Sequence, residues 1–108
     1  MRERALVLGT SLAQAAQIAE EAIRSSGVSL QSIETRGGSI TAETRPSARS
    51  WGEVIEAGVA AHSPGAVTVR VASESRAQLF DWGKNQENVD KVYRAIVTLA
   101  SSKAISVK

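Results

Sequence analysis

The segment from Ser73 to Asn85 holds most of the side chains in this chain that could bind a ligand or act on one. Its sequence, SESRAQLFDWGKN, places two cations, two carboxylates, two aromatic rings and a glycine between a predicted strand and a predicted helix. Arg76, Lys84 and the first amides of that helix could hold an anion, because helix N-termini favour negative charge. If the chain has a ligand site, we place it here, with these candidate residues: Ser75, Arg76, Asp81, Trp82, Lys84 and Asn85.

The same segment also has a purely structural interpretation, which we favour because capping motifs are common. Asp81 or Asn85 would cap the helix, and Gly83 would form the turn before it. Phe80 and Trp82 would then close the end of the core. On this interpretation the segment holds the helix in place and needs no ligand.

Elsewhere the sequence offers few groups for catalysis. His62 lies in a Pro-Gly turn without a neighbouring nucleophile or orienting partner, so we expect a solvated loop histidine. Glu20 and Glu21 diverge on a predicted helix, and Glu53 and Glu56 face opposite sides of a predicted strand. Neither pair suits acid–base chemistry, and we predict no catalytic residues.

Composition excludes further kinds of site. The chain has no cysteine and one histidine, which excludes disulfides and a cysteine nucleophile and argues against a zinc site. Neither a Walker sequence nor a G-x-G-x-x-G sequence is present. We therefore predict no metal and no cofactor.

Nucleic-acid binding is a weaker alternative. Thirteen basic residues against eleven acidic ones leave a net charge of +2, so no basic stripe is implied. The arginines of the predicted strands alternate with glutamates, and cross-strand ion pairs are the simpler account of them. The chain holds four aromatic residues, and core packing explains three of them, which leaves little for base stacking.

The elements that must position these residues follow the order β-α-β-β-β-β-α. Apolar residues recur at helical spacing from Leu12 and again from about Asn85, and Thr10 and Ser11 are candidate N-caps of the first helix. Gly37-Gly38 joins two alternating runs and indicates a hairpin whose two turn residues can both take positive φ. We predict a bulge at Gly58 and strands at residues 4–8, 30–36, 39–45, 51–60 and 67–75.

These elements predict one α+β domain over residues 1–103, followed by a tail or short edge strand at residues 104–108. The expected architecture is a two-layer sandwich, in which an antiparallel sheet of about five strands carries both helices on one face. The opposite face would be polar.

The stretch from Ser73 to Val89 resembles a known group of proteins. Its S-x-S-R strand end, its D-x-G-x-N turn and the amphipathic helix that follows resemble a family of small uncharacterised bacterial domains. The Trp51-Gly52-Glu53 start of the fourth strand is similar too, while the amino-terminal half shows no such likeness. The resemblance implies a compact α+β module and assigns no catalytic role.

The sequence therefore predicts a small soluble binding or interaction domain, expected in the cytoplasm. Its partner would be a small molecule or a protein, including a second copy of the chain. An enzyme that acts on a small anionic substrate through Arg76, Asp81 and Lys84 is the first alternative, and a nucleic-acid-binding module is the second. The first sixteen residues have the outline of a signal peptide, but Glu3 and Gly9 interrupt it, and no run approaches a membrane span.

Overall fold

A computed structural model describes residues 2–47, 51–76 and 83–108 of the chain. Its elements follow the predicted order β-α-β-β-β-β-α. They are β1 (Arg2–Leu8), α1 (Leu12–Ser25), β2 (Leu30–Arg36), β3 (Ser39–Thr44), β4 (Glu53–Ser63), β5 (Ala66–Ser75) and α2 (Lys84–Ser102).

The five strands form one antiparallel sheet in the order β1-β5-β4-β3-β2. Helix α1 connects the two edge strands, and its 14 residues span about 21 Å. Four strand spacings measure about 19 Å, so this helix is long enough to carry the chain across the sheet. The other strands then return as a meander, and the predicted α+β sandwich is confirmed.

Both helices cover the same face of the sheet. Helix α1 packs over β3 and β4, whereas α2 packs over β5 and β1 and against α1. The side of α1 that faces the sheet is rich in alanine, and Ala15, Ala19 and Ala22 are fully buried. Such small side chains let the helix axis approach the sheet closely. We call the opposite, uncovered side of the sheet the open face.

Strand alternation decides which side chains enter the core. In β5, Val67, Val69 and Val71 are buried, while Arg70 lies on the open face with its side chain 63% exposed. The predicted phase of this strand is therefore confirmed.

We expect Val69→Ala to lower the free energy of unfolding by about 2 kcal/mol, because it removes two buried methyl groups and leaves a cavity. Arg70→Ala, one residue away, should cost less than about 0.5 kcal/mol, because Arg70 makes only an exposed ion pair with Glu3. Urea denaturation of both variants measures the difference. Equal losses would contradict the phase of β5.

Several element ends agree with the local signals. The Ser11 hydroxyl accepts a hydrogen bond from the backbone N–H of Gln14 at 3.2 Å and caps α1. Gly27, just after α1, has a φ of 92°, which is typical of a glycine that ends a helix.

Strand β4 differs from the prediction at both ends. The strand begins at Glu53, and Trp51, where we predicted its start, is 68% exposed. At the other end the strand continues to Ser63 rather than stopping at residue 60. The register shift lies between Ala61 and Ser63, not at Gly58, which pairs regularly with its neighbours. The irregularity lies next to the turn between β4 and β5, where Ser63 pairs with Ala66 and β3 no longer pairs with β4.

The hairpin and the last residues show two further details. The predicted hairpin is present, with Arg36 opposite Ser39, and of its two turn glycines only Gly37 has a positive φ. Residues 106–108 lie along the outer edge of β1, where Val7 and Lys108 exchange two backbone hydrogen bonds and Gly9 donates to Ser106.

Within the described ranges, no helix is long and apolar enough to cross a membrane.

Candidate functional site

Of the predicted site residues that the structure describes, Ser75 and Asn85 are joined by a hydrogen bond. Ser75 is the last residue of β5, Arg76 follows it, and Lys84 and Asn85 form the first turn of α2. All four therefore lie where β5 ends and α2 begins. The other predicted site residues, Asp81 and Trp82, lie outside the described residues, as does Phe80.

A buried polar cluster lies beneath this junction, between the sheet and α2. Its members come from four elements, and none is more than 3% exposed. Strand alternation turns the β3, β4 and β5 members inward, and helical spacing places the α2 members on the face that also carries Val89 and Val92. The members are Thr44, Glu53, Ser73, Asn85 and Asn88.

The carboxylate of Glu53 lies at the base of the cluster. Its Oε1 accepts a hydrogen bond from Asn88 Nδ2 at 2.8 Å and another from Thr44 Oγ1 at 3.1 Å. The Thr44 hydroxyl also accepts a bond from the Glu53 backbone N–H at 2.8 Å. These bonds compensate for the removal of a polar group from water, which is otherwise costly.

A second set of bonds ties the cluster to Ser75 at the end of β5. Ser73 Oγ donates to Asn85 Oδ1 at 2.8 Å, and Asn85 Nδ2 donates to Ser75 Oγ at 2.8 Å. Asn88 Nδ2 lies 3.3 Å from Ser73 Oγ and joins the two sets. Among the described residues, no buried side-chain nitrogen or oxygen lacks a hydrogen-bond partner.

This arrangement does not suit catalysis. A serine nucleophile needs a base to take its proton, whereas the Ser73 hydroxyl donates to the amide oxygen of Asn85. Glu53 is only 1% exposed and already accepts two hydrogen bonds on one oxygen. The geometry instead fits a structural cluster that fixes α2 on the end of the sheet.

Arg76 lies at the rim of the same junction and is held there by two contacts. Its Nη1 lies 2.8 Å from Glu43 Oε2 on β3, and its backbone N–H donates to the carbonyl of Gly52 at 3.2 Å. A Cβ on Gly52 would lie 3.5 Å from Arg76 Nε, so the guanidinium passes close over this glycine. The guanidinium that we predicted could hold an anion is therefore paired with a carboxylate of β3.

Asn85 does not cap α2, so that part of the structural interpretation is wrong. The helix has Gly83 at its N-cap position, with a φ of 77°, and Asn85 lies inside the first turn with its side chain in the buried cluster. The alternative cap, Asp81, lies outside the described residues. Lys84, in the same turn, is partly exposed.

Sequence reasoning missed four members of the cluster: Thr44, Glu53, Ser73 and Asn88. The sequence signal that could have found them is their position in the strand alternation and in the helical spacing. Glu53 alternates with the buried Ile55, and Asn88 lies one helical turn before Val92. A polar residue in the phase of a core stripe is expected to be buried and hydrogen-bonded.

One carboxylate outside the junction has a shifted pKa. The hydrogen bond from the Thr35 hydroxyl, and next the one from Arg24, lower the pKa of Glu20 below its ordinary value of 4.5. Glu20 is on α1 and fastens it to β2. In the part of the chain that the structure describes, no three histidine or acidic side chains are placed to hold a metal ion.

No protein-family model matches the chain, and no curated protein is significantly similar to it in sequence. The resemblance to small bacterial α+β domains therefore stays a prediction.

Proposed function

We propose that this protein is a non-catalytic interaction module that binds a basic segment of another protein on its open face. The observation that supports this is the placement of both helices on one side of the sheet, which leaves the other side uncovered by any described element. The buried cluster at the β5–α2 junction supports it further, because its groups are used to hold the fold together.

The open face is arranged in rows that follow the strand register. One row holds the carboxylates of Glu3, Glu56 and Glu34, with Ala72 and Thr41 between them. In another row, Val54 lies between Glu74 and Glu43 on the neighbouring strands. The row that contains Arg70 and Arg36 supplies two cations, and Arg76 reaches Glu43 from the rim. Among the described residues the face therefore carries five carboxylates and three guanidiniums, which form the ion pairs Glu3–Arg70, Glu34–Arg36 and Glu43–Arg76. Glu56 and Glu74 are the carboxylates of this face that a partner's cation would contact.

Ala72 marks the point where a partner's cation would bind. It lies between Glu3 and Glu56 on the neighbouring strands, and Glu74 follows two residues later on the same side of β5. A shallow concavity there is lined by Val54, Glu56, Ala72, Ser73 and Glu74. Because alanine is short, a lysine or arginine side chain can reach over it to the surrounding carboxylates.

The size of the face indicates a transient complex. A five-stranded sheet of seven-residue strands presents roughly 500 Å², whereas a standard stable interface buries about 800 Å² on each partner. Charge complementarity on such a surface contributes more to association rate and specificity than to affinity. We expect micromolar binding that weakens as salt is added.

The test is an amide NMR titration of the labelled protein with a lysine-rich peptide and, separately, with a glutamate-rich peptide of equal length. We expect shifts at Val54, Glu56, Ala72 and Glu74 with the lysine-rich peptide alone, declining as salt is added. A short oligonucleotide, added in a third titration, examines the nucleic-acid alternative.

Two charge reversals give a matched pair for this titration. Glu56→Lys should weaken binding of the lysine-rich peptide about tenfold, since it changes one close charge contact from attractive to repulsive. Glu21→Lys makes the same change on the exposed side of α1 and should leave binding unaltered. Equal affinities for the two variants, or shifts confined to the helices, would contradict the proposal.

A further inference from the structure

We propose that the outer edge of β2 binds a second copy of this chain, so that two sheets join into one continuous sheet of ten strands. β2 is the last strand of the sheet and pairs with β3 on its inner side. No described residue pairs with its outer side. The opposite edge strand, β1, is partly covered, because residues 106–108 bond to Val7 and Gly9.

The turn after β2 fixes which backbone groups point outward. Arg36 and Ser39 face each other across the two-residue turn, and residues that flank such a turn form a hydrogen-bonded pair. Hydrogen-bonded pairs alternate along an antiparallel ladder. The N–H and C=O groups of Ile33 and Thr35 therefore point away from β3, toward solvent, where a new strand can bond to them.

The charges of β2 are self-complementary about Thr35. An antiparallel pairing that places Thr35 opposite Thr35 of the partner subunit sets Glu34 opposite Arg36 of the partner subunit, and the reverse. Glu34 and Arg36 already form an ion pair within one chain on the open face. Pairing would extend it into a cluster of four alternating charges, and opposite charges that face each other across strands are stabilising.

An apolar groove lies beside this edge on the helix side. It has a volume of about 300 Å³ and is lined by Leu12, Ala13, Ala16, Gly37, Gly38 and Val59. Leu12 is 47% exposed, which is unusual for a large apolar side chain in the described part of this chain. The pairing about Thr35 brings Ile33 of the partner subunit beside Gly37, next to the groove. Ile33 is on the helix side of β2 and is only half-buried.

These three features point to the same two-fold axis, perpendicular to the sheet at Thr35. The backbone of β2 supplies the pairing, the open face supplies the charge cluster, and Leu12 supplies an apolar contact. The overlap is short, so we expect a weak dimer that forms at micromolar concentrations. Both open faces would then lie on the same side of the joined sheet.

Charge reversal tests the pairing through a designed heterodimer. Arg36→Glu and Glu34→Arg each place like charges opposite each other, and each should raise the dimer Kd by about tenfold or more. Mixing the two variants makes every facing pair opposite in sign again and should restore association. Sedimentation equilibrium measures this, with Arg94→Glu on the exposed side of α2 as the matched control.

Single cysteines test the register, because the chain has no other cysteine. Facing residues of a hydrogen-bonded pair have Cα atoms about 5.5 Å apart, within the range for a disulfide. Thr35→Cys should therefore form a disulfide-linked dimer under mild oxidation, and faster than Ile33→Cys. A wild-type chain that stays monomeric at millimolar concentration would overturn the proposal. So would a variant mixture that associates no better than either variant alone, or faster cross-linking through Ile33→Cys.

Discussion

Asn88→Ala is expected to lower the free energy of unfolding by about 3 kcal/mol. The substitution removes the donor that lies 2.8 Å from the Glu53 carboxylate and 3.3 Å from Ser73 Oγ, in a site that is 2% exposed or less. A hydrogen bond contributes about 0.5–1.5 kcal/mol, and a buried group left without its partner adds a desolvation cost of about 1–3 kcal/mol. Urea or guanidinium denaturation measures the loss.

Gln86→Ala is the control for this variant. Gln86 lies in the same helix and donates a hydrogen bond to Asp90, but the bond is exposed, so its loss should cost less than about 0.5 kcal/mol. Asn88→Ala should also leave peptide binding on the open face intact, because the buried cluster is on the other side of the sheet. A loss below about 1 kcal/mol for Asn88→Ala would mean that the cluster does not fix α2 on the sheet.

Gly52→Ala is expected to cost about 3 kcal/mol or more. Gly52 has a φ of 101°, and a Cβ there would lie 2.9 Å from the backbone oxygen of Thr44. Strained backbone at a non-glycine residue costs about 1–3 kcal/mol, and overpacking against groups that cannot move costs a similar amount. Thermal or chemical denaturation gives the loss, and NMR shifts of Arg76 and Glu43 report whether their ion pair moves.

Gly58→Ala is the matched substitution, because Gly58 lies six residues after Gly52, within β4. Gly58 is exposed on the open face, has no positive φ, and an added Cβ would meet nothing within 4 Å. Because glycine in a strand interior is destabilising by roughly 0.5–1 kcal/mol, Gly58→Ala should be neutral or slightly stabilising. If both variants lose the same stability, the close approach at Gly52 is not the cause.

Local patterns predicted most of the fold. The alternation of Val67, Val69 and Val71 fixed the phase of β5, and the spacing of apolar residues fixed both helices, because these periods follow from strand and helix geometry alone. The Ser11 cap and the Gly37-Gly38 turn depend on bonds and dihedral angles within a few residues, so they too could be predicted.

The ends of β4 and the role of Asn85 could not be predicted in this way. Strand β4 extends to Ser63 because β5 pairs with it beyond the hairpin, and no local signal reports where a distant strand ends. Asn85 has the residue type of a helix cap, but Ser73 and Ser75 compete for its side chain once α2 lies on β5. A bond to a residue ten or more positions away is invisible to a capping argument.

The element order, the apolar faces of β5 and the two helices, and the absence of thiol chemistry could all be predicted from the sequence alone. Those properties follow from periodicity and composition, which act within a single segment. The meeting of Thr44, Glu53 and Asn88 in one buried cluster, and the position of β2 as an uncovered edge, became visible in the folded chain alone. The reason is physical: these contacts join residues that are far apart in the chain, and burial of the shared core, not any local preference, selects which strands become neighbours.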